Sequence, residues 1–131
     1  MSSGDDTEAL RDRYLLERLS WTTVERRIEA GSRTAIVPVG AVEQHGPHLP
    51  LGTDAIIGEA LCCRIAANLG DALVAPVVRV GCSSEHDSFP GTLSVPLDVL
   101  VGTLHGYVSS LTSHGFATIV LVPTHGGNVA P

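Results

Sequence analysis

Three short apolar runs alternate along the chain with two longer stretches in which apolar residues recur every three or four positions. The runs begin at Thr34, Ala72 and Ala117, and their length and apolar content favour buried strands. The longer stretches have the period of amphipathic helices and end before Gly70 and Gly115. In the first we predict one buried face, and the second carries a similar stripe. These positions are Ile57, Leu61, Ile65 and Leu69, then Leu97, Leu100, Val101, Leu104, Val108 and Leu111.

Two shorter helices are predicted ahead of the first strand. Residues 5–19 are charged and leucine-bearing, and Thr22 with Glu25 fits a capping box for a helix that ends near Ala30. Strands that alternate with helices of about a dozen residues imply crossover connections and a mostly parallel sheet with helices on both faces. We therefore predict a single α/β domain over residues 1–131, with disorder confined to residues 1–6.

Composition and charge narrow the classes of function. The 131 residues are 44% hydrophobic and 17% charged, which is typical of a chain with a buried core. A formal net charge of −6 disfavours nucleic acid and anionic membranes as partners. There is neither a signal-peptide pattern nor an apolar run of about 18 residues, so we expect a soluble, cytoplasmic protein. The three cysteines include the neighbours Cys62 and Cys63, which predicts buried thiols rather than disulfides or a cysteine metal site.

Side chains that can bind a metal follow two of the predicted strands. Glu43 and His45 come shortly after the first strand, Asp54 opens the next helix, and His125 follows the last strand. The carboxyl ends of parallel strands meet at one edge of a sheet, where ligands bind. Two carboxylates and two imidazoles suit Zn²⁺, Mn²⁺ or Fe²⁺. This pattern predicts a divalent metal site at that edge.

Each of these residues also has a structural explanation. Asp54 could simply cap a helix, and His45 and His125 could lie in solvent-facing turns rich in glycine or proline. Glu43 is harder to explain in this way, because a charged side chain next to a buried strand is rarely buried without a partner. The polar loop at residues 81–91, with Glu85 and His86, is a secondary candidate for function.

Three segments resemble the creatininase family of metal-dependent hydrolases, in the same order along the chain. The first is Pro-Val-Gly-Ala-Val-Glu-Gln-His-Gly-Pro-His-Leu-Pro at residues 38–50, with Thr53 and Asp54. The second is Ser-Ser-Glu-His at 83–86 with Phe-Pro-Gly-Thr at 89–92, and the third is His-Gly-Gly-Asn at 125–128. The resemblance covers about residues 20–131.

The resemblance implies a creatininase-like three-layer sandwich and an amidohydrolase that acts on a non-peptide or cyclic C–N bond through metal-activated water. It implies that Glu43, His45, Asp54 and His125 bind two divalent ions (Zn, Mn or Fe), with Asp54 as the bridge. Glu85 and His86 would lie near a small-molecule amide substrate. A homo-oligomer is also implied.

Two departures from the family pattern widen the range of functions. Creatininase itself carries Glu where this chain has Gly127, and relatives with the Gly-Gly form include a mycofactocin-associated peptidase, so peptide maturation is an alternative. Family members also continue beyond the third motif and supply further ligands and catalytic residues there. We therefore expect the chain to be part of a longer enzyme, with catalytic residues beyond Pro131. The alternative is a catalytically incomplete fragment that acts as a binding or assembly module.

Overall fold

A computed structural model describes residues 3–128 of the chain, which form a three-stranded parallel sheet with four helices. The predicted α/β fold is thereby confirmed. The strands lie in the order β2-β1-β3, and β1 pairs in parallel with both neighbours. The helices are α1 (Ser3–Tyr14), α2 (Trp21–Glu29), α3 (Thr53–Leu69) and α4 (Leu97–Ser113), and the strands are β1 (Thr34–Val39), β2 (Ala72–Val74) and β3 (Thr118–Pro123). Short 3₁₀ segments cover Leu16–Arg18, Ser84–His86 and Gly126–Asn128.

Helices cover both faces of the sheet, as the alternation of elements predicted. Ala35 and Val37 of β1 lie on one face, in a core shared with Leu100 and Leu111 of α4, and α2 packs against it. Ile36 lies on the other face, in a core built with α1 and α3. Strand β1 is therefore buried on both sides, as expected of the central strand of a parallel sheet.

The prediction of which side of α3 is buried is wrong. Ile57 and Leu61 are exposed, and the buried positions are mostly small: Asp54, Ala55, Gly58, Glu59, Cys62, Cys63 and Ala66. The reason is the close approach of the helix to the ends of β1 and β3. A Cβ atom on Gly58 would lie 2.9 Å from Oγ1 of Thr124, so large side chains do not fit on that face.

The residue that caps α2 also differs from the predicted one. The side chain of Ser20, not that of Thr22, caps α2 by accepting a hydrogen bond from the backbone N–H of Thr23. Residues 3–6 form the first turn of α1. A carboxylate such as that of Asp6 is favourable there, because it complements the helix dipole. Residues 1 and 2 lie outside the described residues.

The outer edge of β3 has no partner strand among the described residues. Within residues 3–128, β3 pairs only with β1, and Val120 and Leu121 are 40% and 43% exposed. Helix α3 contacts β3 and leaves Ile57 and Leu61 exposed. We call these four side chains and the strand edge the open β3 surface. None of the described helices is long and apolar enough to cross a membrane.

Candidate metal centre

The ends of β1 and β3 bring the predicted ligands together. The two strands pair in register up to Val39 and Pro123, so the residues that follow both strands leave the same edge of the sheet. Asp54 reaches this edge from the first turn of α3. We call Glu43, His45, Asp54 and His125 the carboxylate–imidazole cluster.

Asp54 lies between the two imidazoles of the cluster. One of its oxygens, Oδ1, lies 2.9 Å from Nε2 of His45, and the other, Oδ2, lies 3.3 Å from Nδ1 of His125. The same Nδ1 lies 2.9 Å from Oε1 of Glu43. Each imidazole therefore presents one nitrogen to a carboxylate.

Backbone carbonyls determine which nitrogen of each imidazole faces a carboxylate. Nδ1 of His45 donates to the carbonyl of Glu43 over 3.1 Å, and Nε2 of His125 donates to the carbonyl of Cys82 over 2.9 Å. Because a carbonyl only accepts, the hydrogen of each neutral ring lies on that nitrogen. The other nitrogen then directs its lone pair at a carboxylate oxygen, an arrangement that favours a cation between them.

The pKa of His45 is raised above its ordinary value of 6.5. The main cause is the hydrogen bond from the ring to the backbone carbonyl of Glu43, and Asp54 adds to it, whereas burial acts in the opposite direction. The surroundings of this ring thus favour positive charge, which a proton or a metal ion can supply.

The carboxylates of the cluster are buried and incompletely paired. Glu43 is 5% exposed, Asp54 8% and His125 7%. Within the described residues, Oε2 of Glu43 has no hydrogen-bond partner. Burying a carboxylate oxygen without a hydrogen bond is costly, and coordination to a divalent cation would offset that cost.

The donor set fits a divalent ion. Two groups each place one ligand atom per residue within 4.8 Å of the others: Glu43 with His45 and Asp54, and Glu43 with Glu85 and His125. Oxygen and imidazole nitrogen suit Zn²⁺, Mn²⁺ and Fe²⁺. Glu43 belongs to both groups.

Glu85 and His86, predicted to lie near a substrate, border the cluster. Both belong to the short 3₁₀ segment Ser84–His86. Nε2 of His86 lies 3.5 Å from Oε2 of Glu43, and Oε1 of the exposed Glu85 lies 3.8 Å from Nε2 of His125. Their role as substrate-binding residues remains a prediction.

Sequence reasoning did not find the residues that hold the cluster in place. Nδ2 of the buried Asn128 donates to the carbonyl of Gly40 over 2.9 Å, joining the loops after β1 and β3. Oγ1 of Thr124 donates to the carbonyl of Asp54 over 2.7 Å, joining the end of β3 to α3. The only signal for Asn128 was its place in the third motif, and Thr124 carried none.

Comparisons of sequence agree with the resemblance. The sequence profile of the creatininase family, described as creatinine amidohydrolase, matches residues 17–131. The chain is 42% identical over 113 residues to the mycofactocin precursor peptide peptidase of Mycolicibacterium smegmatis, a match that covers 82% of this chain and 45% of that protein. It is 37% identical over 115 residues to the creatinine amidohydrolase of Pseudomonas putida, with 84% and 44% covered. The chain thus spans less than half the length of these curated relatives.

Solved structures give the same result for the fold. A crystal structure of creatinine amidohydrolase matches with a TM-score of 0.82 and 35% identity, over 88% of this chain and 46% of that chain. Two others match with TM-scores of 0.81, 35% identity and the same coverage. One is described as a manganese form of creatininase and the other as a zinc–zinc form of a creatininase mutant. The parallel sheet and its helices therefore occur in these proteins as well.

Proposed function

Because this chain belongs to the creatininase family, we propose that it provides metal ligands for an amidohydrolase that cleaves a non-peptide or cyclic C–N amide bond. The proposed ligands are Glu43, His45, Asp54 and His125, which would hold two divalent ions with Asp54 as the bridge. The observation that carries the proposal is the direction of the two imidazoles. In each, a backbone carbonyl fixes one nitrogen, so that the other faces a buried carboxylate.

The chain's own residues would orient the metal ligands and give the site negative charge. Divalent ions in such a centre polarise an amide carbonyl and lower the pKa of bound water. Asp54 would help to hold both ions, because its two oxygens face different imidazoles. Glu43 and Asp54 supply negative charge, and the burial of both keeps bulk water away from it. Water would be consumed as the C–N bond breaks, with hydroxyl on the acyl carbon and hydrogen on the amine.

Zinc or manganese is the proposed metal, and two substrate classes are considered. Related structures described as manganese and zinc–zinc forms support this choice of metals. The name of creatinine amidohydrolase supports a small-molecule amide, and that of the mycofactocin precursor peptide peptidase supports peptide maturation as the alternative. A screen with creatinine and with a precursor peptide tests the two classes directly.

The metal proposal is tested by measuring bound Zn²⁺ and Mn²⁺ in purified protein by mass spectrometry after dialysis. We expect stoichiometric metal in the wild type and its loss in Glu43→Gln and Asp54→Asn. Asp98→Asn is the matched control, because Asp98 is exposed and occupies the first turn of α4 as Asp54 does in α3. Folded wild-type protein without metal would refute the proposal, as would unchanged retention in both ligand variants.

The open β3 surface favours a second candidate function, assembly through the edge of the sheet. An apolar strand edge without a partner promotes pairing with another chain, and a homo-oligomer formed in this way would act as a binding module. Sedimentation should then show an oligomer that Val120→Lys dissociates, whereas Val99→Lys, at an exposed site on α4, leaves it intact. A wild-type monomer at all concentrations would exclude this function.

A further inference from the structure

The side chain of Gln44 connects the loop after β1 with His86. Its Oε1 accepts a hydrogen bond from the backbone N–H of Gly46 over 2.9 Å. Gly46 has φ +79°, a conformation suited to glycine, which permits this tight turn. The amide Nε2 of Gln44 then faces Nδ1 of His86 at 3.3 Å.

This arrangement selects one tautomer of His86. The amide nitrogen of Gln44 only donates, so Nδ1 of His86 must accept, and the hydrogen of the neutral ring lies on Nε2. The opposite orientation of the amide is unfavourable, because it would place the NH₂ group of Gln44 against the N–H of Gly46. Two donors would then face each other.

The tautomer matters because of what Nε2 of His86 faces. It lies 3.5 Å from Oε2 of Glu43, the buried oxygen without a hydrogen-bond partner. The other oxygen of Glu43 faces His125. An N–H at this distance is too far for a normal hydrogen bond, but its positive end distinguishes the two oxygens electrostatically: Oε2 faces His86 and Oε1 faces His125.

We propose that Gln44 is a positioning residue that fixes the Nε2–H tautomer of His86 and thereby orients the carboxylate of Glu43. His86 acts on Glu43 through the electrostatic contact between its Nε2 and Oε2, which are 3.5 Å apart. The importance of this orientation for metal binding rests on the proposed function, whereas the tautomer itself does not. Partners that orient a ligand typically contribute about 10- to 100-fold to metal affinity.

The backbone around His86 supports a fixed ring position. Its carbonyl accepts hydrogen bonds from the backbone N–H of Phe89 and from Oγ1 of Thr92, both over 3.0 Å. The ring of Phe89 lies beside that of His86, with centroids 6.3 Å apart. Gln44 therefore acts on a ring whose backbone is already held.

The tautomer is measured by ¹⁵N NMR of the metal-free protein at alkaline pH, where the ring is neutral. His86→Gln identifies the signals. In the wild type we expect protonated Nε2 and unprotonated Nδ1. In Gln44→Glu the new carboxylate accepts a hydrogen bond, so we expect the hydrogen to move to Nδ1. Asn68→Asp introduces the same charge at an exposed site on α3 and should leave the tautomer unchanged.

An Nδ1–H tautomer in the wild type overturns the proposal, as does an unchanged tautomer in folded Gln44→Glu. If that variant does not fold, the wild-type spectrum still shows which tautomer of His86 is present. Competition with a chelator supplies the second measurement: zinc affinity should fall about 10- to 100-fold in Gln44→Glu relative to Asn68→Asp. Wild-type protein that shows the expected tautomer but binds no metal would refute the proposed function and leave the tautomer assignment intact.

Discussion

Gly127 lies so close to His125 that a Cβ atom at position 127 would stand 2.6 Å from Nε2 of the imidazole. The same atom would lie 2.8 Å from the carbonyl oxygen of Cys82, which accepts the hydrogen bond from that nitrogen. Gly127→Ala should therefore displace the ring of His125 and weaken zinc binding by about 10-fold or more, as expected when the partner of a ligand is lost. Isothermal titration with Zn²⁺ measures this change.

Gly126→Ala is the matched control for that substitution. Within residues 3–128, a Cβ atom on Gly126 would have no neighbouring atom within 4 Å, so zinc affinity should stay near the wild-type value. Equal losses in both variants would show that the segment, and not the contact with His125, determines the effect.

The neighbouring buried thiols of Cys62 and Cys63 on α3 should make the protein less stable at alkaline pH. Burial raises the pKa of Cys62 from 9.0 to about 12 and is also the main cause for Cys63, whose pKa rises to about 11. The folded state therefore retains these protons while the unfolded state loses them. The contribution of each thiol to stability is fully present below pH 9. It should fall by about 1.4 kcal/mol per pH unit above pH 9, up to about pH 12 for Cys62 and about pH 11 for Cys63.

Urea unfolding at a series of pH values measures that slope. Replacing Cys62 and Cys63 together by Ala should reduce it, although the variant is less stable at neutral pH because it leaves a cavity. A slope that persists in the double variant would assign the alkaline loss to other groups.

Arg11 and Glu59 form an ion pair that should matter for stability. Nε of Arg11 donates to Oε1 of Glu59 over 2.8 Å, which ties α1 to α3 at a partly buried position. Arg11→Met should lower the free energy of unfolding by about 1.5–3 kcal/mol. Arg18→Met is the control. Arg18 pairs with Glu8 and Asp12 at exposed positions, where ion pairs contribute little. Chemical denaturation should show a larger loss in the free energy of unfolding for Arg11→Met than for Arg18→Met.

Two glycines should respond in opposite directions to replacement by alanine. Gly102 lies inside α4, and a Cβ atom there would meet none of the described residues within 4 Å, so Gly102→Ala should stabilise the protein by about 0.5–1 kcal/mol. Gly115 has φ +108° and little room beside Ile28, so Gly115→Ala should destabilise it. Thermal unfolding that shifts both variants in the same direction would contradict this assignment.

The strands and the long helices could be predicted from the sequence, but the buried face of α3 could not. The apolar period through Ile57 and Leu61 identified the helix correctly and its interior side wrongly. Close packing against Gly40 and Thr124 requires small residues on the inner side, for a Cβ atom on Gly40 would lie 2.8 Å from Cα of Ala55. Hydrophobicity alone does not report such distances.

The candidate site was also predictable from the sequence only in part. Glu43, His45, Asp54 and His125 could be predicted to lie together, because parallel strands deliver their carboxyl ends to one edge. The atoms that direct the two imidazoles are carbonyl groups of the backbone, which every residue possesses. Their positions depend on the folded loops, so no pattern of residue types could have indicated them.

The pairing of β1 with β3 joins residues as far apart as Thr34 and Thr118, and it also brings Glu43 to His125. A metal ion held by both residues would bind only after this long-range contact has formed. By mass action, such an ion at 100 times its dissociation constant would add about 2.7 kcal/mol to stability. Metal binding would thus stabilise the pairing of β3 with β1. The fraction of folded molecules would then depend on the concentration of free metal.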